Sequence, residues 1–257
     1  MTTPFHLSVS RIDAYEICQR KYWYQYVKRL PQKRLQVHAI IGRFAHEVLE
    51  EWMKLVIAGA DASDAMKQAY KFVYEIYNRD KKDELKLVNI MNIKEWMRDS
   101  LSVFKTSAYK PLQAEQEIGF LYRGIEIKGR IDRIDYIDDK TIKIIDYKTT
   151  AKPKNLKGFQ LAVYYIATKF GSLKEQYGDK DVQTAYVLLR QQAKEKTHLF
   201  TNEEIDETLD KIERVANDIK AHNRKNMNDW LPTKNVGMCS YCDYCMQCIP
   251  NSNLWNF

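Results

Sequence analysis

Two carboxylates and an amine stand close together in the middle of this 257-residue chain: Asp132 in Gly129-Arg-Ile-Asp132, and Asp146 with Lys148 in Ile145-Asp146-Tyr147-Lys148. If the two segments pair as a hairpin, the acids converge. Side chains alternate along a strand, so Asp146 and Lys148 share one face and Tyr147 takes the other. Hard oxygen ligands beside one ammonium suit magnesium or manganese chemistry on a phosphodiester. The metal polarises the phosphate and acidifies a bound water. The lysine orients or activates that water and offsets the charge that builds in the transition state. A bare Asp-x-Lys is also what a surface salt bridge looks like, so its neighbours matter. Gly42-Arg-Phe-Ala-His46-Glu47 places a histidine on an amphipathic helix, from which it can approach a metal. Gln160 and Tyr164 lie four apart and so share a helix face. The plainer alternatives are a satisfied histidine near the core and an ordinary polar helix face.

The cysteines suggest a second centre. Of the five, Cys239, Cys242, Cys245 and Cys248 fall within ten residues and Cys18 stands far upstream. Without a secretory signal a disulfide framework is not expected. Paired CxxC spacings suggest a metal, because each short loop turns two thiolates toward one centre. Either the four clustered cysteines hold it, or Cys18 joins Cys239, Cys242 and Cys248 and leaves Cys245 spare. Spacing does not choose between zinc and an iron–sulfur cluster.

The elements that must position these groups change character along the chain. Ser10-Arg-Ile-Asp13 has the form of a capping box. Residues 41–57 carry Phe44, Val48, Trp52 and Leu55 at helical spacing, and 61–78 and about 93–106 read as further helices, with a charged polar stretch at 78–84 between them. Residues 115–122, 125–137 and 141–147 then alternate in polarity and are separated by Arg-Gly and Asp-Asp turns, which predicts an antiparallel meander. Residues 156–170 return to helical period, and 183–190 with 197–200 read as strands. Thr201-Asn-Glu-Glu204 caps a helix running to about His222. The pattern is that of one α/β unit with appendages.

Composition sets limits. Hydrophobic residues make up 45% and charged residues 29%, as in a soluble globular protein, and no apolar run approaches a membrane span. A cytoplasmic or otherwise intracellular location, with no membrane partner, is the expectation. The net charge is +7. Residues 1–36 hold Arg11, Arg20, Lys21, Lys28, Arg29, Lys33 and Arg34 against Asp13 and Glu16, interleaved with Tyr15, Tyr22, Trp23, Tyr24 and Tyr26. Such a mixture suits nucleic acid, with cations on phosphates and rings on bases. A solvated helix with its aromatics turned into the core is the other reading.

Taken in order, Cys18, Gly42-x3-His46, Gly129-x2-Asp132, Asp146-x-Lys148, Gln160-x3-Tyr164 and Cys239-x2-Cys242-x5-Cys248 resemble the RecB-like branch of the PD-(D/E)XK nucleases. Within that branch they are similar to the iron–sulfur members, which include the CRISPR-associated adaptation nuclease (the fourth Cas family) and the nuclease domain of AddB. The resemblance covers residues 8–250. It implies an α/β, restriction-endonuclease-like fold: a central mixed sheet flanked by helices, a helical N-terminal part and a C-terminal iron–sulfur module. The whole chain then reads as a single nuclease unit, with a helical region at 1–110, a core at 111–222 and a cysteine module at 223–257 that packs with Cys18.

The same resemblance implies residue roles. His46, Asp132 and Asp146 bind Mg2+ or Mn2+, assisted by the Tyr147 carbonyl; Lys148 is the catalytic lysine; Gln160 and Tyr164 position DNA or the lysine. A [4Fe–4S] cluster sits on Cys18, Cys239, Cys242 and Cys248, with zinc as the alternative. The expected activity is exonucleolytic, on single-stranded DNA or DNA ends, in recombination, repair or CRISPR spacer processing, in a cell, a virus or a mobile element. No Gly-x4-Gly-Lys-Ser/Thr is present, so unwinding would come from a helicase, recombination or adaptation partner. The competing expectation is a catalytically idle DNA-binding scaffold, part of a larger assembly, with an iron–sulfur or zinc centre. The chain departs from the family pattern at Ile131, where the superfamily's proline would stand, at Gln19, often proline in relatives, and in the extra Cys245. Glu115 and Glu117 both stand where relatives often carry a further acid.

Overall fold

The structure, a computed structural model, describes residues 5–32, 37–88, 90–107, 110–150, 156 and 158–248. They fall into two compact units, the first formed by the described residues within 1–35, 121–127 and 206–257, the second by those within 36–120 and 128–205.

In the second unit, helices α3 (Val37–Ile57), α4 (Ala62–Asp80), α5 (Lys82–Leu87) and α6 (Ile90–Thr106) precede the strands. Apolar positions three and four apart on α3, among them Phe44, Val48, Leu49 and Trp52, are fully buried, as an amphipathic stripe requires. They pack with Ala69 and Tyr77 of α4 and with Ile93 and Trp96 of α6. The charged stretch around residues 78–84 is not a simple break. It carries the end of α4 and the start of α5, whose first turn holds Lys82, Asp83 and Glu84.

Strands β2 (Lys110–Tyr122), β3 (Ile125–Asp138) and β4 (Thr141–Lys148) follow at the three places expected. β3 and β4 form the antiparallel hairpin, closed where Lys140 N–H donates to the Asp138 side chain at 2.8 Å. Helix α7 (Phe159–Phe170) and the short α8 (Lys174–Tyr177) then lead to β5 (Asp181–Leu188), which runs parallel to β4, and β6 (Lys194–His198) returns antiparallel. The order in this unit is β3-β4-β5-β6, with β2 on β3, a mixed sheet. Ile145 and Tyr147 of β4 pack into the α3–α4–α6 core. Asp146, on the opposite face, meets α7. Helices therefore flank the sheet, and β4 is buried from Ile142 to Tyr147. Part of the helix expected from residue 156, at 157, lies outside the described residues, as do 151–155.

In the first unit, β1 (His6–Leu7) pairs in parallel with the start of β3. Helix α1 (Val9–Ile17) is capped by Ser8, whose hydroxyl accepts from Arg11 N–H, two residues before the expected Ser10. The likeness of Ser10-x-x-Asp13 to a capping box misled because the signal is short and Ser8 offers the same chemistry. Helix α2 (Gln19–Tyr22) runs on into a π-helical turn at Trp23–Val27. Most of α9 (Asn202–Ala221) and the short α10 (Cys245–Cys248) complete the unit. The α9 cap is the reciprocal box expected, with Glu204 N–H donating to Thr201 Oγ1 and Thr201 N–H to the Glu204 carboxylate. Tyr15, Tyr22, Trp23 and Tyr24 are all buried. Tyr22 stacks on Trp230 and Tyr24 on Tyr244. These four rings build a core, so the expectation that they stack on bases does not hold for them. Among the described residues no helix is long and apolar enough to cross a membrane.

Candidate active site

The ladder between β3 and β4 runs Arg133 opposite Ile145, so one further step sets Asp132 across from Asp146. There the regular pairing gives way, and Tyr147 N–H donates to Asp132 Oδ2 at 2.7 Å. Helix α3 brings His46 to the same place, its Nδ1 3.4 Å from that oxygen. Gly42, one turn earlier, permits a close approach: a Cβ there would lie 3.2 Å from Thr149 Oγ1, just past the end of β4.

Asp146, Lys148, Gln160 and Tyr164 close into a ring. Lys148 Nζ lies 2.6 Å from Asp146 Oδ2 and donates to Gln160 Oε1 at 2.6 Å. Gln160 Nε2 donates to the Tyr164 hydroxyl at 2.6 Å, which donates to Asp146 Oδ1 at 3.1 Å. Two strand positions on one face and two helix positions one turn apart are what this ring needs. The Lys148 ammonium also sits 5.3 Å over the Tyr186 ring.

A further acid joins the group. His46, Glu115 and Asp132 each offer a ligand atom within 4.8 Å of the others. Glu117 is 83% exposed at its side chain and turns to Arg130. Sequence reasoning left these two acids unresolved because residues two apart share a face in a regular strand. What separates them is a backbone irregularity: Glu115 has φ 51°, a left-handed conformation uncommon outside glycine. No residue type in the sequence announces it.

The electrostatics are those of crowded acids. Burial and the neighbouring Asp132 charge push Asp146 up to about 6, against the pull of Lys148 and His46. Burial, then Asp132 and Glu50, push Glu115 up to about 7. Burial and Asp146 raise the Tyr164 phenol well above its ordinary value. Burial lowers His46, but its hydrogen bond to Asp132 and the charges of Asp132 and Asp146 outweigh this and leave it raised. Burial and repulsion between the acids thus outweigh the cations beside them, Lys148 and His46 at Asp146 and Arg130 and His46 at Glu115. One imidazole and two carboxylates form a donor set that a divalent cation fits.

All five cysteines fall among the described residues of the first unit, where no three of their sulfurs lie within 4.8 Å of one another. Cys18 caps α2, its Sγ accepting from Lys21 N–H at 3.4 Å, and Arg20 Nη1 donates to Cys248 Sγ at 3.8 Å. Burial raises Cys242, as do the nearby Cys18 and Cys239. Burial raises Cys239 too, together with Cys245, Cys18 and Cys248. None of the five is in a disulfide.

Known proteins resemble this chain both in sequence and in fold. The chain is 26% identical over 231 residues to one of the subunits of an ATP-dependent helicase/deoxyribonuclease of Streptococcus mutans, covering 81% of this chain and 20% of that protein. The corresponding protein of Lactococcus lactis subsp. cremoris is 27% identical over 164 residues, 57% of this chain and 15% of that one. The chain thus spans only about a fifth or less of the length of these relatives. In fold it is similar to a putative exonuclease from Eubacterium rectale, with a TM-score of 0.56 at 17% identity over 94% of this chain and 87% of the other. Residues 6–249 match the PD-(D/E)XK nuclease superfamily as a whole, and the chain belongs to that superfamily.

Proposed function

We propose that the chain is a metal-dependent deoxyribonuclease acting on single-stranded DNA or on DNA ends. The observation that carries this reading is the Asp146–Lys148–Gln160–Tyr164 ring beside the His46–Glu115–Asp132 donor group. His46, Glu115 and Asp132, with Asp146 and the Tyr147 carbonyl, are the residues that would hold Mg2+ or Mn2+. Such an ion polarises a phosphodiester and acidifies water. Lys148, held between Asp146 and Gln160, presents an ammonium of fixed direction that hydrogen-bonds the attacking water and offsets negative charge on the phosphoryl oxygens. Tyr164 ties Asp146 to α7, and Gln160 restrains the lysine. A ring of this kind needs no rearrangement as charge develops.

Cys18, Cys239, Cys242 and Cys248 would carry a [4Fe–4S] cluster as a structural centre, Cys245 being the spare thiol. Cys18 interacts electrostatically with both Cys239 and Cys242, which supports including it in the set. The relatives' names join a helicase to a deoxyribonuclease, so strand separation, in recombination or repair, is assigned to a partner protein or to a further part of a longer chain. The test is digestion of end-labelled single-stranded, duplex and circular DNA with Mg2+ or Mn2+. Linear substrates should be degraded and circles left intact. Absence of cleavage of every substrate with both metals would remove the nuclease reading in favour of a binding scaffold.

A further inference from the structure

Beneath the donor group lies a charged unit that the chemistry above does not use. Arg133 is 6% exposed and Asp135, two residues along β3, is 0% exposed. Arg133 Nε donates to Asp135 Oδ1 at 2.7 Å and Nη2 to Oδ2, a bidentate pair. The remaining nitrogen, Nη1, donates to the Tyr147 hydroxyl at 2.9 Å. The guanidinium rests 5.5 Å over the Phe104 ring. Burying such a pair brings little net stability, because desolvation costs about as much as the attraction returns. Its value lies in what it holds still. Tyr147 touches two of the three donors: its N–H binds Asp132 Oδ2 at 2.7 Å, and its ring meets the His46 imidazole edge-on, with centroids 6.2 Å apart at 88°. The tip of the phenol is thus clamped by Arg133, while its ring and backbone bear on His46 and Asp132.

We propose that Tyr147 is a positioning residue: the Arg133–Asp135 clamp fixes its phenol, and Tyr147 in turn pre-aligns His46 and Asp132 for the cation. The inference rests on the metal reading of the site and concerns the side chain, not the carbonyl. Outer contacts that orient metal ligands change affinity by roughly 10–100-fold when lost.

The test is a Mn2+ titration of the full chain, followed by electron paramagnetic resonance, for the wild type and Tyr147→Phe. The substitution keeps ring, N–H and carbonyl and removes only the hydroxyl held by Arg133. The expected result is about 10-fold weaker Mn2+ binding at a temperature where the variant remains folded. Cleavage should recover as Mn2+ is raised, whereas Lys148→Ala should not recover. A purely structural role would lower the melting temperature and leave the titration unmoved, and that result overturns the proposal. Should Tyr147→Phe fail to fold, Asp135→Asn weakens the same clamp from its other end, and unchanged Mn2+ affinity in that folded variant overturns it equally. A wild-type chain that binds no Mn2+ fails earlier, at the metal reading itself, and takes this inference with it.

Discussion

Asp146 and Lys148 have different tasks although they touch. Asp146 is almost wholly buried, its Oδ1 bonded by Tyr164 and its Oδ2 ion-paired with Lys148, while Lys148 keeps 24% of its side chain exposed. Lys148→Ala should therefore lower DNA cleavage by at least about 100-fold, the scale of losing one fixed charge stabiliser. It should leave Mn2+ affinity close to wild type. Glu115→Gln should do the reverse in order, weakening Mn2+ binding by more than the roughly 10-fold that loss of an outer contact brings, before any effect at saturating metal. Glu117→Gln, on an exposed side chain paired with Arg130, should do neither. Parallel Mn2+ titrations and end-labelled digestions of the three variants check this. Equal effects of Glu115→Gln and Glu117→Gln would contradict the division drawn between these acids.

At the scale of elements, short local signals do different amounts of positioning. The α7 face that carries Gln160 and Tyr164 follows from helical period alone, as does the β4 face that carries Asp146 and Lys148 from strand alternation. The link between α1 and α9 does not: Glu16 receives both Lys211 at 2.7 Å and Arg214 at 3.1 Å from residues nearly two hundred positions away. Burial pushes the Glu16 carboxyl up, but these two cations outweigh it and hold it below its ordinary value. A carboxylate with a depressed folded-state pKa stabilises the fold above the unfolded value, and the contribution disappears as pH falls through the folded one. Urea denaturation between neutral pH and pH about 3 should therefore lose less stability in Glu16→Gln than in the wild type. Matching acid-side slopes would show that the triad contributes nothing there.

At the scale of the molecule, the cysteines decide what the first unit is. Anaerobically purified protein should be brown and contain about four iron and four sulfide per chain. One zinc without sulfide would replace the cluster with a mononuclear site. Cys18→Ala should lose the iron and Cys245→Ala should keep it. The opposite pattern would move the fourth ligand to Cys245 and free the N-terminal segment from the centre. Asp146→Asn, remote in sequence from every cysteine, should abolish cleavage and leave the colour unchanged.

The hairpin, the helical faces and the Thr201–Glu204 cap were legible in the chain because each depends on residues a few positions apart, where period and hydrogen-bonding chemistry act directly. So were the residues of the ring, since alternation along β4 and one turn of α7 fix their faces. Three things were not. The placement of Ser8 rather than Ser10 at the first cap turned on two equivalent hydroxyls. The front-segment rings suit bases or a core equally well in the sequence, and for Tyr22 and Tyr24 it is Trp230 and Tyr244, from the far end of the chain, that hold them inside. The selection of Glu115 over Glu117, and the Arg133–Asp135 clamp on Tyr147, depend on a left-handed residue in β2 and on a phenol brought within 2.9 Å of a buried guanidinium. The sequence by itself determined which groups are available and which way each faces along its own element. Tertiary structure decided which of them meet, because distances between elements are set by how buried side chains pack, and packing is a property of pairs of segments that no single segment encodes.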